Sequence, residues 1–150
     1  MKLTLLPLFC CALLLTASCS SFNREWRNAA SRQPSRDLAG RWEGRWISTT
    51  NGHDGKLRAV ITPDNANKYH ALFHATYASV LNFTYPVNFE TTQHGTRVDF
   101  CGAADLPSWA GGRYATSGSS TRTDFSATYK SKYDEGRFEM KRADPQPTPR

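Results

Sequence analysis

Four histidines, at positions 53, 70, 74 and 94, are the side chains best suited to holding a metal ion. His70 and His74 lie four residues apart in a run that alternates like a β-strand, so about 13 Å separates them along one face. Each ligand of a zinc ion must approach it to about 2.1 Å, which this pair cannot do. His53 and His94 fall in turns that a sequential strand order places at opposite ends of the fold. The sequence therefore predicts no metal site and no cofactor.

Nucleophilic catalysis needs an activated cysteine or serine, and neither candidate in the chain has suitable neighbours. Cys101 is flanked by Asp99 and Asp105, whose negative charges do not favour a reactive thiolate. The alternation places Cys101 on the outer face of its strand or at a bulge beside Gly102. Ser108 lacks the Gly-x-Ser-x-Gly pattern of a nucleophile elbow. We therefore predict no catalytic residues and a protein that is not an enzyme.

The length and composition of the chain narrow the class of protein. Its 150 residues have room for one folded domain. A hydrophobic fraction of 39% and a charged fraction of 21% are typical of a globular chain and not of wholesale disorder. The formal net charge of +6 suits nucleic acid or an anionic membrane surface as a partner, or serves only to keep the protein soluble.

The first 18 residues have the pattern of an export signal. Lys2 supplies a positive start, and an apolar run follows from Leu3 to Leu15. This run is shorter than the roughly 20 helical residues that cross a bilayer, but it fits the apolar region of a signal peptide. Thr-Ala-Ser-Cys at residues 16–19 resembles the lipobox of bacterial lipoproteins, which implies cleavage after residue 18 and a diacylglycerol group on Cys19. Ordinary cleavage near Ser18, releasing a soluble protein, is the alternative.

Residues 19–37 form a basic tether between this cysteine and the folded body. Phe22, Trp26 and Ala30 are spaced by four, which indicates one or two helical turns, and Pro34 would end such a helix. The tether is either a solvated spacer or a segment that lies on anionic head groups, where each basic residue adds about 1 kcal/mol. At the other terminus, the proline-rich residues 143–150 are predicted to be disordered.

The body, residues 38–142, alternates between apolar and polar side chains with a period of two, the pattern of half-buried strands. Turn-forming residues separate the runs. Eight strands are predicted, over residues 40–49, 56–62, 69–77, 81–91, 96–102, 112–117, 122–131 and 136–142. Pro86, on the polar face of the fourth strand, indicates an edge or bulge position there. The predicted fold class is therefore all-β.

Eight antiparallel strands with short connections close most simply as an up-and-down barrel, which removes the exposed sheet edges. A β-sandwich is the second choice. Gly40-Arg41-Trp42 resembles the Gly-x-Trp signature of lipocalins and related calycins, and Arg142 resembles the arginine that packs over that tryptophan. The resemblance implies a calycin-like barrel in which a guanidinium group stacked on an indole closes one end.

Ten aromatic side chains, Phe83 among them, stand on the apolar faces of the strands. That number is enough to fill the interior of an eight-stranded barrel, and a slim apolar pocket for one small ligand is the alternative. Trp109, in the long loop predicted over residues 103–111, either caps the barrel or binds a ligand. The side chains predicted to line such a pocket are Trp42, Trp46, Phe73, Phe89, Phe125, Tyr129 and Arg142.

A leader, a cysteine, a basic tether and one β-domain in this order resemble the small uncharacterised lipoproteins of bacteria. The resemblance implies a place in the bacterial cell envelope, on the periplasmic or surface side, with the membrane as partner through the N-terminal lipid. We therefore predict a non-enzymatic lipoprotein whose barrel is a structural or interaction module. A carrier or sensor of a small apolar ligand is the alternative. Because export removes the protein from nucleic acid, no nucleic-acid partner is expected.

Overall fold

A computed structural model of the protein describes residues 21–32, 35 and 37–143. The predicted leader over residues 1–18, the candidate lipidation site Cys19 and residues 144–150 of the predicted tail lie outside the described residues. Within the described ranges, no helix combines the length and the apolar character needed to cross a membrane.

Eight strands follow one another along the chain, and their ends differ from the predicted ones by no more than three residues. A short 3-10 helix, Ser108–Ala110, lies between the fifth strand and the sixth. Several strands run further than predicted because their polar ends continue to pair with the neighbouring strand. The strands are β1 (Gly40–Ser48), β2 (Asp54–Asn65), β3 (Lys68–Tyr77), β4 (Leu81–His94), β5 (Arg97–Asp105), β6 (Arg113–Ser120), β7 (Asp124–Lys130) and β8 (Glu135–Arg142).

The strands close into an up-and-down barrel, because each pairs with the next and β8 pairs with β1. The closing register places Trp42 opposite Arg142. The predicted barrel is confirmed, and the sandwich, the second choice, is wrong. We call the two ends of the barrel the Arg142 end, with the turns over residues 66–67, 95–96 and 121–123, and the Trp109 end, with the connections over residues 49–53, 78–80, 106–112 and 131–134.

One apolar core fills the barrel, and it is made by the side chains that the alternation directs inward. Burying an aliphatic or aromatic side chain of this size contributes about 1.5–3 kcal/mol, so these residues supply most of the driving force for closure. The large fully buried members are Leu38, from the segment before β1, and Trp42, Leu57, Ile61, Phe73, Val87, Phe89 and Phe125, from the strands.

A helix over residues 21–30 packs on the outer wall of the barrel, against β2 and β3. Phe22 is fully buried there, in contact with Val60 of β2, and Leu72 of β3 packs against the same cluster. The helical turns predicted from the spacing of Phe22 and Trp26 are thus present. The tether is not merely a spacer over these residues, since the helix supplies an apolar face that covers part of the barrel wall.

Arginine and aromatic side chains hold this helix in place. Trp26 lies near the guanidinium groups of both Arg41 and Arg58, whose Cζ atoms are 4.9 Å and 5.2 Å from the centroid of its ring. The ring of Phe22 stacks on the imidazole of His74 with 4.7 Å between centroids. Cation–π contacts of this kind gain strength when they are desolvated, and Arg41 is buried.

The burial of His74, whose imidazole stacks on Phe22, predicts that the stability of the fold depends on pH. Burial disfavours the charged imidazole and the positive charge of Arg58 adds to this, so the pKa of His74 lies below its ordinary value of 6.5. Because the unfolded chain takes up this proton first, the stabilising contribution is complete above pH 6.5. It is lost as the pH falls from there through the lowered pKa of the folded state.

We expect the urea midpoint of unfolding to fall between pH 7.5 and pH 5, with part of the fall removed by His74→Gln. Tryptophan emission and circular dichroism would follow the transition. His70→Gln is the matched control, because His70 lies on the same strand face but is exposed and bonds to Asn88 instead. An equal effect of both substitutions on the pH dependence would contradict the explanation.

At the Trp109 end, the hairpin of β3 and β4 extends beyond the region in which β4 also pairs with β5. β4 pairs with β3 from Leu81 onwards, but its ladder to β5 begins only at Asn88. Pro86 lies in this part of β4 without a β5 partner, which confirms the predicted edge position. Phe83 faces the expected side but is 44% exposed, so its predicted place in the core is wrong. Alternation identifies the face of a strand, but not how far the barrel wall extends beside it.

Candidate functional site

Arg142 closes one end of the barrel. Its Cζ atom lies 4.2 Å from the centroid of the Trp42 ring. Its Nη1 donates to the carbonyl oxygen of Ala39 at 2.6 Å, its Nη2 to that of Asp37 at 2.6 Å, and its Nε to that of Arg122 at 2.7 Å. One planar group thus ties the segment before β1 to the turn between β6 and β7. The arginine–tryptophan contact that the calycin resemblance implied is present.

Gly40, the glycine of the Gly-x-Trp triplet, is required by this arrangement for two reasons. Its φ of 125° lies in a region that side-chain-bearing residues rarely adopt. A Cβ atom at this position would also lie 2.6 Å from Nη1 of Arg142. The glycine of the triplet is therefore explained by the backbone at Gly40, which passes close to the guanidinium group of Arg142.

The carboxylate of Asp37 organises the same corner. Its Oδ1 accepts hydrogen bonds from the backbone N–H of Ala39 at 2.8 Å and from the hydroxyl of Ser35 at 2.5 Å, and its Oδ2 accepts one from the Tyr69 hydroxyl at 3.2 Å. Burial by itself would raise the pKa of Asp37, but these hydrogen bonds and the charge of Arg142 together hold it below its ordinary value. The carboxylate stays ionised and anchors the segment that precedes β1.

We expect Arg142→Lys to destabilise the fold by about 2 kcal/mol. An ammonium group cannot reach three carbonyl oxygens and stack on the indole at the same time, and hydrogen bonds from charged donors contribute about 1.5–3 kcal/mol. Urea unfolding followed by tryptophan emission measures the change. Arg122→Lys is the matched control, since that side chain is exposed and a change within about 0.5 kcal/mol is typical of such sites. Equal midpoints for the two variants would contradict this account.

Aromatic rings occupy the centre of the barrel, where an apolar ligand would have to lie. Phe73 contacts four other rings, with centroid distances of 5.5 Å to Tyr85, 5.7 Å to Phe138, 6.1 Å to Phe89 and 6.4 Å to Phe125. One of these contacts is stacked and the other three are edge-on or tilted, which are ordinary geometries of packed aromatic rings. The predicted ligand residues in this region therefore contact one another and fill the interior.

The seven residues predicted to bind a ligand do not surround a single space. Trp42 lies at the Arg142 end, and its Nε1 donates to the carbonyl oxygen of Leu38 at 3.0 Å. Trp46, half-buried, lies near the opposite end, where its Nε1 donates to the carbonyl oxygen of Thr76 at 3.1 Å. Between these ends lie the packed rings of Phe73, Phe89 and Phe125.

Tyr129 takes part in a polar cluster beneath the Trp109 end. Its hydroxyl donates to Oδ2 of Asp134 at 3.0 Å, and Oδ1 of the same carboxylate accepts from the hydroxyl of Ser48 at 2.5 Å. Burial, reinforced by the negative charge of Asp134, raises the pKa of Tyr129, so the phenol stays protonated. The cluster joins the end of β1 to the turn between β7 and β8. Its groups are satisfied by one another, which suits a structural role.

Exposed apolar side chains collect at the Trp109 end. Six large ones are exposed among the residues that the structure describes, and all six lie on the connections or strand tips of this end. Trp109 is 76% exposed, so it does not cap the barrel. We call this group the apolar rim: Tyr77, Val80, Leu81, Phe83, Trp109 and Tyr133. Sequence patterning missed the rim, because an exposed apolar side chain at a turn resembles a core residue in sequence.

The histidines are distributed as their sequence positions predicted. His53 and His94 lie at opposite ends of the barrel, in contact with Tyr77 and Asp99 respectively. Across the described ranges, no three histidine, cysteine or acidic side chains come together in a group that could hold a metal. Cys101 is exposed on the outer wall, as the alternation predicted.

Two recesses in the surface lie outside the aromatic core. One, of about 540 Å³, lies over the outer wall of β5 to β8 and is lined by Cys101, Ser117, Thr128 and Arg137 among others. The other, of about 260 Å³, lies between the end of the helix and the Arg142 end. Both are open to solvent. The geometry thus defines a closed up-and-down barrel with a filled interior and one apolar end.

No protein-family model matches the chain, and no curated protein matches it.

Proposed function

We propose that the protein is a non-enzymatic lipoprotein of the bacterial cell envelope, anchored through Cys19, whose barrel is a structural or interaction module. The filled interior is the observation that carries the proposal. Rings of Phe73 and its neighbours occupy the space that a carrier would keep for its cargo, and Arg142 seals one entrance. What such a barrel offers to a partner is therefore its outer surface and its Trp109 end.

The leader and the lipobox-like residues 16–19 support the envelope location and the anchor. A diacylglycerol group on Cys19 would hold the protein stably at a membrane, because its two acyl chains act together. The helix over residues 21–30 supports this arrangement, because it holds the chain against the barrel two residues after the proposed anchor. A barrel held in this way stays close to the membrane surface.

The test is expression of the full chain in a bacterium, followed by fractionation and intact-mass measurement. We expect protein in the membrane fraction whose N-terminus begins at Cys19 and carries acyl chains. Cys19→Ser is the matched control and should yield a protein without them. An unacylated chain recovered from the cytosol would exclude the proposed anchor.

A small apolar ligand inside the barrel is the competing function, and it makes a different prediction. A carrier would bring a lipid through purification, visible by native mass spectrometry, and an added apolar probe would quench Trp42. For a filled barrel we expect neither. A bound lipid displaced by Phe73→Trp would favour the carrier instead. Hydrolysis of a substrate panel, abolished by one side-chain change, would contradict the non-enzymatic role.

A further inference from the structure

From the direction of the helix over residues 21–30 and the position of the apolar rim, we infer that the Trp109 end faces the membrane and that the rim contacts the lipid surface. The inference rests on the proposed anchor at Cys19. It goes beyond that anchor, because a lipid tether alone would leave the barrel free to turn any of its faces toward the bilayer.

The helix runs from the Trp109 side of the barrel toward the Arg142 end. Near its start, Phe22 stacks on His74, which is three residues from the end of β3 at the Trp109 end. At its other end, Ala29 and Ala30 line the recess that also touches Pro63, near the end of β2 at the Arg142 end. The helix therefore begins on the side of the barrel wall that is nearer to the rim.

The length of chain between Cys19 and the helix, and the distance from the helix to the rim, allow the anchor and the rim to contact the same membrane surface. Cys19 precedes Ser21 by two residues, which span at most about 7 Å. Three strand residues separate His74 from Tyr77, about 10 Å at 3.3 Å per residue. The acyl chains and the tip of the β3–β4 hairpin can thus reach the same plane.

The chemistry of the rim suits a lipid surface. Tryptophan and tyrosine are enriched where a protein meets the interface of a membrane, because their rings are apolar and their N–H or O–H groups are polar. The connections over residues 78–80 and 106–112 contain no charged side chain. Lys132, beside Tyr133 with its Nζ atom 5.3 Å from that ring, supplies a positive charge for anionic head groups.

The opposite end is unsuited to the same contact. None of the six exposed large apolar side chains among the described residues lies on its turns. In the part of the chain that the structure describes, this end thus lacks large apolar side chains that could enter the bilayer, and the guanidinium group of Arg142 is committed to backbone carbonyls. We therefore expect a tryptophan at the Trp109 end to contact the bilayer and a tryptophan at the Arg142 end to stay in water.

The experiment uses the full chain, purified from its membrane fraction and placed in vesicles of phosphatidylethanolamine and phosphatidylglycerol with brominated or ordinary acyl chains. Bromine quenches tryptophan emission only within the bilayer. The emission of Trp109 is the difference between the wild-type protein and Trp109→Phe. Asn67→Trp, made in the Trp109→Phe background, places the matched reporter in an exposed turn at the Arg142 end.

We expect brominated chains to remove most of the Trp109 emission and to leave that of the tryptophan introduced by Asn67→Trp unchanged. Val80→Ser with Leu81→Ser should reduce the quenching of Trp109. Equal quenching of the two reporters, or quenching of neither in vesicle-bound protein, would overturn the inference. A Trp109 emission that shifts to shorter wavelength without quenching would mean that a protein partner or a second copy covers the rim, and would overturn it as well.

The failure of this inference is distinguishable from the failure of the anchor. Intact mass reports the acyl groups on Cys19, whereas quenching reports the orientation of the barrel. An unacylated chain added to the same vesicles still tests the rim. Quenching of its Trp109 would support the contact without the anchor, and a failure to bind would overturn the contact.

Discussion

Trp42→Ala is expected to destabilise the protein by about 4 kcal/mol, in the range of about 3–5 kcal/mol typical of large-to-small changes at buried aromatic sites. Trp42 is the largest of the fully buried side chains, and its loss leaves a cavity beside Phe125, whose ring lies 5.7 Å away. The carbonyl oxygen of Leu38 loses its donor, and the guanidinium group of Arg142 loses the ring on which it stacks. Since all these effects fall on the closed end of the barrel, we expect them to act together.

Urea unfolding, followed by circular dichroism so that the lost fluorophore does not matter, measures this change. Trp109→Ala is the matched control: it removes the same atoms from a side chain that is 76% exposed, and a change within about 0.5 kcal/mol is expected. Trp42→Phe should fall between the two, because it keeps a ring under Arg142 but removes the hydrogen bond. Similar midpoints for both alanine variants would mean that Trp42 does not close the barrel.

Gly44→Ala is expected to cost about 3 kcal/mol, although it adds a single methyl group. A Cβ atom at this position would overlap the carbonyl oxygen of Glu139 and lie 2.7 Å from the Cα atom of Met140. Both obstacles belong to the backbone of β8, so relief requires movement of the strand itself and not of a flexible side chain. Overpacking in a well-packed region costs about 1–3 kcal/mol, and this contact lies on the seam that closes the barrel.

Gly52→Ala separates this steric effect from the general cost of replacing glycine. Gly52 has a φ of 75° in the turn between β1 and β2, with no atom within 4 Å of a Cβ. Its substitution is expected to cost about 1 kcal/mol through backbone conformation alone. Thermal unfolding of both variants measures the difference. If Gly44→Ala were as stable as Gly52→Ala, this result would contradict the close packing of β1 against β8 at Gly44.

The architecture could be predicted from sequence because alternation and turn residues agree along the whole body. Each predicted strand places its large side chains on one face, and Trp42 with Arg142 identified the two strands that close the barrel. The ladders extended a few residues beyond the alternating runs, as at Thr91–His94, because backbone pairing does not need an apolar side chain. These features depend on local sequence, which a single chain displays.

The position of the helix, the exposure of Phe83 and the arrangement of the predicted ligand residues could not be predicted, because they depend on contacts between distant parts of the chain. The spacing of Phe22 and Trp26 marked a helix, but not its place on β2 and β3, where Arg41 and Arg58 are its partners. Phe83 alternates like a core residue and is exposed, because β5 does not extend beside it. Six of the seven predicted ligand residues are aromatic and the seventh is Arg142, yet their arrangement at two ends and a packed centre follows only from the closed register.

Because β1 pairs with β8, we expect closure of the barrel to be a late step of folding. Trp42 and Arg142 meet across 100 residues of chain, so their contact closes the longest loop in the barrel and bears a large entropic cost. Until the last strand is complete, β1 and β7 are edges that can pair with another chain. Nascent or C-terminally clipped molecules should therefore be the aggregation-prone forms of this protein, and a chaperone that shields β1 would act before closure.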